Sequence, residues 1–149
     1  MKRLDFRRFA QGRTVAALLC VSFATVFSPV TADARDLSGP TETHGVESVE
    51  SIGEVDLAAE FPAMAGRQMR ARIFTIAPGG VVAQHTHKAR PGYAYILSGQ
   101  IVEHRNDADD PIIRKPGDVA IEQTGVAHWW ENESSAPVRV LVIDIFTPE

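Results

Sequence analysis

The sequence predicts an all-β fold, a sandwich or small barrel, and three observations carry that prediction. From Gln68 onward, apolar and polar residues alternate in about eight runs of strand length. Turn signals separate the runs: Pro78-Gly79-Gly80, Ser98-Gly99, Asn106 to Pro111, and Pro116-Gly117. Helical periodicity is almost absent. Short, regularly spaced strands of this kind belong to double-sheet and barrel architectures.

The chain of 149 residues does not read as fold throughout. Lys2, Arg3, Arg7, Arg8 and Arg13 form a basic start, Thr14 to Phe27 is an apolar run, and small residues follow at Val30-Thr31-Ala32 and Ala32-Asp33-Ala34. This is the pattern of a cleaved secretory signal peptide over residues 1–34, and it predicts export to a periplasm or to the exterior. The apolar run is short for a membrane span, so no membrane attachment is expected after cleavage. Residues 35–47, polar and punctuated by Gly39-Pro40 and Gly45, read as a flexible lead-in containing an idle, solvated His44. The domain then covers 48–149. A short strand is expected around Val49–Val55, and Asp56 is placed to cap a helical turn over Leu57–Phe61 that Pro62 ends. The strands "QMRARIFTIA", "VVAQHTH", "YAYILSG", "QIVEHR", "IIRK", "VAIEQTG", "AHWWEN" and "VRVLVIDIF" follow in order.

Charge and cysteine content exclude several functions. Without residues 1–34 the chain carries 10 basic against 17 acidic residues, a net of −7, which makes it a poor partner for nucleic acid. Its single cysteine, Cys20, lies within the apolar run, so the mature chain has no disulfide, no thiolate ligand and no cysteine nucleophile.

Chemistry is concentrated at three histidines. Side chains i and i+2 of a strand project to one side. In "VVAQHTH" this places Val81, Ala83, His85 and His87 on one face and Val82, Gln84 and Thr86 on the other. Imidazoles that continue an apolar face need partners, because unpaired polar groups are costly to bury. One metal ion would satisfy both; two ordinary core or surface histidines are the plainer alternative. In "AHWWEN", His128 shares a face with Trp130 and Asn132, opposite Ala127 and Trp129. Trp130 is thus a candidate pocket wall and Trp129 a candidate exposed aromatic.

These residues fall into two spaced motifs. The first reads Gly79, five residues, His85-Thr86-His87, four residues, Gly92, six residues, Gly99. The second, 17 residues on, reads Gly117, five residues, Gln123-Thr124-Gly125, two residues, His128, three residues, Asn132. The pattern resembles the two motifs of the cupin family, over roughly Met69 to Phe146. The resemblance implies a cupin-type double-stranded jelly-roll barrel and a metal site made by His85, His87 and His128. It also implies a homodimer that exchanges an edge strand or N-terminal segment. Two positions depart from the family pattern. Gln123 stands for a turn proline, and Gly92 stands where the family usually has a ligand glutamate. The site is left with three imidazoles and open positions for water, substrate or a ligand from elsewhere.

Glu103 is one candidate for that other ligand. If Ser98-Gly99 forms a hairpin turn, Ile96 faces Ile101, Ala94 faces Glu103 and Gly92 faces Arg105. Glu103 and Arg105 would then point inward, and Arg105 could bind an anionic substrate through its guanidinium. A slip of one residue would turn both outward and His104 inward. Arg70 and Arg72 share a face with Phe74 and Ile76 and are read as solvated at the start of their strand. His104 and Glu122 qualify as bases only if they face the cavity. The expected cofactor is a divalent transition metal of the imidazole-loving kind: Fe, Ni, Cu or Zn. Two functional classes remain open. One is a small metalloenzyme of oxygenase, isomerase or decarboxylase type, by similarity to single-domain cupins, acting on a small organic molecule. The other is a non-catalytic binding module for a metal or small-molecule ligand.

Overall fold

The computed structural model describes residues 37–148; the signal-peptide reading over 1–34 lies outside them. Eight strands make up more than half of the described backbone: β1 (His44–Asp56), β2 (Gln68–Thr86), β3 (Gly92–Ser98), β4 (Ile101–Arg105), β5 (Ile112–Arg114), β6 (Val119–Glu122), β7 (Ala127–Glu131) and β8 (Val138–Phe146). They join in one antiparallel sheet of order β5-β4-β7-β2-β8-β3-β6, with β1 added against β2. The sheet curls into a nearly closed barrel, as the sequence predicts. Its two end strands are linked by side chain rather than ladder, since the Arg114 guanidinium on β5 donates to the Val119 carbonyl on β6 at 3.2 Å.

β2 decides the architecture. The Pro78-Gly79-Gly80 signal, expected to end a strand, lies inside 19 continuous residues. What changes there is the partner. Gln68–Ile76 pairs with β8, whereas Val81–Thr86 pairs with β7. One strand thus runs through both faces of the barrel and bends where it changes neighbours. Gly79 takes φ +73°, a left-handed conformation that favours glycine. Its N–H donates to the Asn132 carbonyl at 2.8 Å, which anchors the bend to the end of β7.

The lead-in is also more ordered than its composition suggests. β1 begins at His44, and ahead of it the Gln84 N–H donates to the Pro40 carbonyl at 2.9 Å. Asp56 caps as expected, accepting from the Ala58 N–H at 3.0 Å. Pro62, however, does not close the turn but opens a 3-10 turn over Pro62–Met64, where its fixed φ and missing N–H cost nothing.

The Ser98-Gly99 hairpin does not form. β3 pairs with β6 and β8, and β4 pairs with β5 and β7, so the turn carries the chain from one side of the barrel to the other. Ile76, Ala94, Ile96, Ile101, Ala120, Trp130, Val138 and Val140 pack where the two sides meet. Each large side chain among them contributes about 1.5–3 kcal/mol on burial. A cavity beside the histidines is lined in part by Ile76, Trp130 and Val140 of this core.

Candidate metal centre

His85 and His87 lie at the end of β2, and His128 lies on β7 directly opposite His85. His87 and His128 are fully buried. The His128 Nε2 is 2.9 Å from the His87 Nε2 and 3.1 Å from the His85 Nε2. A bulge makes this meeting possible. Val82 faces Trp130 and His85 faces His128, so β2 carries one residue more than β7 across that interval. The extra residue breaks the simple alternation, and Val82, rather than Val81 or Ala83, lines the cavity beside His85 and His87.

Hydrogen bonds on the far side of two rings set their tautomers. The His85 Nδ1 is 2.8 Å from the Ala83 carbonyl, and the His128 Nδ1 is 2.7 Å from the Glu103 Oε1. Both partners are acceptors, so both Nδ1 atoms carry the proton and both Nε2 atoms present a lone pair. The Trp130 indole N–H also comes within 3.0 Å of the His128 Nδ1, but the shorter contact to an ionised carboxylate takes that proton. Two lone pairs facing each other at 3.1 Å repel unless a cation stands between them. Ligands held about 2.0–2.2 Å from one ion at neighbouring positions are themselves about 3 Å apart. Burial lowers the pKa of His85 to about 4 and of His87 to about 3, so both are neutral and able to coordinate near pH 7.

The cavity has a volume of about 60 Å³, room for an ion and a few groups the size of a water molecule. Phe74, Ile76, Val140 and Val142 make it apolar on one side, and Trp130 lines it as the sequence predicts. Its polar lining holds the three histidines, Glu122, Arg72 and Arg90. Five buried side-chain polar atoms among the described residues lack a hydrogen-bond partner, and four belong to this lining: the His87 Nδ1, the Glu122 Oε2, the Arg72 Nε and the Arg90 Nε. Buried polar atoms are rarely left unmatched, so their concentration here marks a place built for a polar guest.

Glu103 and Arg105 are inward-facing residues of another kind than the sequence suggests. Glu103 is completely buried, yet it does not line the cavity. Its Oε1 accepts from His128 at 2.7 Å and from Arg105 at 3.0 Å, and its Oε2 accepts from Arg114 at 2.7 Å. Burial alone would raise its pKa, but the hydrogen bond from His128 and the charges of Arg105 and Arg114 bring it down to about 2. Arg105 is held by Asp107 at 2.7 and 2.9 Å and by the Ile121 carbonyl at 3.1 Å. It does not fill the space beside Gly92, because the hairpin that would have carried it there is absent. His104 lies outside as well, stacked on Trp129 with ring centroids 3.7 Å apart and bonded to Glu131 at 2.8 Å.

The arginines that do reach the cavity come from elsewhere. Arg72, read from sequence as solvated, projects inward with Phe74, and Arg90 joins it from the loop after β2. Both converge on Asp144, at 3.4 and 3.5 Å, while Arg70 grips the same carboxylate at 2.8 and 3.2 Å. Burial holds the Arg72 guanidinium below its ordinary pKa, and the Arg70 and Arg90 charges add to that push against the pull of Asp144. Glu122, pushed by burial to about 7, has its Oε2 3.5 Å from the His87 Nδ1 and its Oε1 3.8 Å from the His128 Nε2. A parity signal existed for both: Glu122 alternates with buried Ala120, and Arg72 shares the face of Phe74. Asp144 carried the same signal, alternating with buried Val138 and Val140 on β8, whereas Arg90 lies in the loop after β2 and carried none.

Residues 72–144 match the model of the Cupin domain family. An oxalate-binding protein of Thermotoga maritima is 33% identical over 96 residues, covering 62% of this chain and 77% of that protein. The chain is a cupin. A germin-like protein of Brassica napus is 30% identical over 87 residues, 56% of this cupin but only 42% of the relative. Among solved structures, a double-stranded β-helix protein of Klebsiella pneumoniae superposes with TM-score 0.53 at 17% identity, covering 74% of this cupin and 90% of that chain, a likeness of fold alone.

Proposed function

We propose that this cupin binds a divalent transition metal through His85, His87 and His128 and uses it, together with Arg72 and Arg90, to hold a small carboxylate anion. The observation that carries the reading is the shared lining: three converging imidazoles and the guanidinium-bearing side chains of Arg72 and Arg90 line one small cavity. Guanidinium groups suit carboxylates, and an ion with open positions suits their second oxygen. The cavity admits only a few heavy atoms, and the Thermotoga maritima relative is named for binding oxalate. When bound, the ion supplies Lewis acidity and a fixed positive charge. The chain's own residues do the rest: Glu103 orients His128, the arginines hold the anion, and the apolar wall limits water.

The test uses the metal-loaded full chain and oxalate. Calorimetry is expected to give saturable binding that disappears on chelation and weakens about ten- to a hundredfold in Arg72→Gln or Arg90→Gln, the loss of one charge-assisted hydrogen bond. His87→Ala is expected to lose most metal while keeping a folded β spectrum. Equal oxalate binding with and without metal would sink the reading. A catalytic role is the second reading, supported by the open face of the three-histidine cluster. Oxygen uptake or carbon dioxide release from a panel of small acids would establish it, and a bound anion that is never turned over leaves a binding module. The pattern of residues 1–34 supports export, and we take the working form to be a homodimer in the periplasm or outside the cell.

A further inference from the structure

Three carboxylates are buried near the histidines: Glu103, Asp144 and Glu122. Charge in an apolar interior needs an opposite charge at close range. Glu103 has Arg105, Arg114 and His128, and Asp144 has Arg70, Arg72 and Arg90. Glu122 alone of the three has no cation at hydrogen-bond distance. Its nearest neighbours are two of the converging imidazoles, and its Oε2 is buried without a partner.

We infer that Glu122 is the fourth protein ligand of the metal. This rests on the three-histidine reading above and extends it. In the strand ladder, Gly92 lies between Glu122 on β6 and Asp144 on β8. A side chain at 92 has no room, since its Cβ would stand 2.6 Å from the Ile143 carbonyl oxygen and 2.9 Å from the Asp144 Cβ. Position 92 therefore offers the ion no carboxylate, and the two carboxylates beside it in the ladder are Glu122 and Asp144. Asp144 is committed to three arginines, and Glu122 is free to coordinate. Its Oε1 stands 3.8 Å from the His128 Nε2, within the span of two ligands on one ion. Two atoms each about 2.0–2.2 Å from a common centre are about 3 to 4 Å apart, depending on the angle between them.

A three-nitrogen, one-oxygen site differs in selectivity from a bare tri-histidine site. The carboxylate adds a hard, charged donor, so Mn(II) and Fe(II) become acceptable beside Zn(II) and Cu(II). The wild-type chain loaded with Mn(II) is expected to show Glu122 Oε1 within about 2.2 Å of the ion in a crystal structure. In competitive metal titrations, Glu122→Gln is expected to weaken Mn(II) about 10- to 100-fold, and Zn(II) less. An ion seated on the imidazoles with Glu122 further than about 3 Å away would overturn this inference and leave the three-histidine reading standing. So would unchanged Mn(II) affinity in a folded Glu122→Gln. Absence of any ion from the wild-type imidazoles would overturn both.

Discussion

Glu103 shows how one buried side chain can organise a site it does not enter. It selects the His128 tautomer that presents Nε2 to the cavity, and two guanidinium groups keep it ionised. Glu103→Gln keeps the shape and removes the charge. The expected outcome is metal affinity about 10- to 100-fold weaker, read by titration against a chelator. A loss of stability of about 3 kcal/mol in urea is also expected, because two arginines lose their counter-charge. Alongside Glu103, Asp144 contributes to the pH dependence. Burial would raise its pKa, but Arg70, Arg72 and Arg90 together bring it below the usual carboxylate value of 3.8. Its contribution to stability is therefore full above that value and disappears as pH falls through the lower folded pKa. Asp144→Asn is expected to be less stable than wild type at pH 7, with the gap closing in acid melts as wild-type Asp144 protonates.

The bulge in β2 sets the histidines opposite one another, and a close contact confines β3 at Gly92. Without the extra residue between Val82 and His85, the register of β2 against β7 would turn the first histidine away from His128. At Gly92 the neighbouring strand comes so close that even a methyl group meets backbone. Gly92→Ala is expected to cost about 1–3 kcal/mol in denaturant unfolding, the usual range for overpacking. Gly92→Glu, which would recreate the ligand position expected of the family, is expected to lose soluble yield and gain no metal affinity. A well-folded Gly92→Glu with tighter metal binding would show that β8 can move aside.

The outer face of the barrel bears on assembly. Tyr93, Tyr95 and Leu97 on β3, Val119 and Ile121 on β6, and Ile143 on β8 are all exposed. They are cross-strand neighbours: Tyr93 faces Ile121 on one side and Ile143 on the other, and Tyr95 faces Val119. Continuous apolar surface of this kind marks a binding face. For the proposed homodimer, the expected outcome is that Tyr93→Lys with Ile121→Glu halves the mass seen by light scattering. Metal content should stay unchanged, because these side chains point away from the cavity. A wild type that is monomeric at high concentration would refute the dimer.

Much of this protein could be read from its sequence, and the boundary has a physical cause. The alternating strands, inward-facing His128 and Trp130 and the three-histidine grouping follow from period-two alternation and from spacing, both local properties of the chain. The two motifs bring distant histidines into one expectation because their spacings match a known pattern. Whatever depends on which strand lies beside which was out of reach. Arg105 was the expected anion partner, but β3 and β4 part company at Ser98-Gly99, and the arginines that line the cavity are Arg72 and Arg90. The carboxylate absent at Gly92 has a neighbour in Glu122, 30 positions further on, only because β3 and β6 pair. Alternation tells a side chain which face to take; it carries no information about the strand next door, and the ion pairs of Asp144 with Arg70, Arg72 and Arg90 all join β8 to distant parts of the chain.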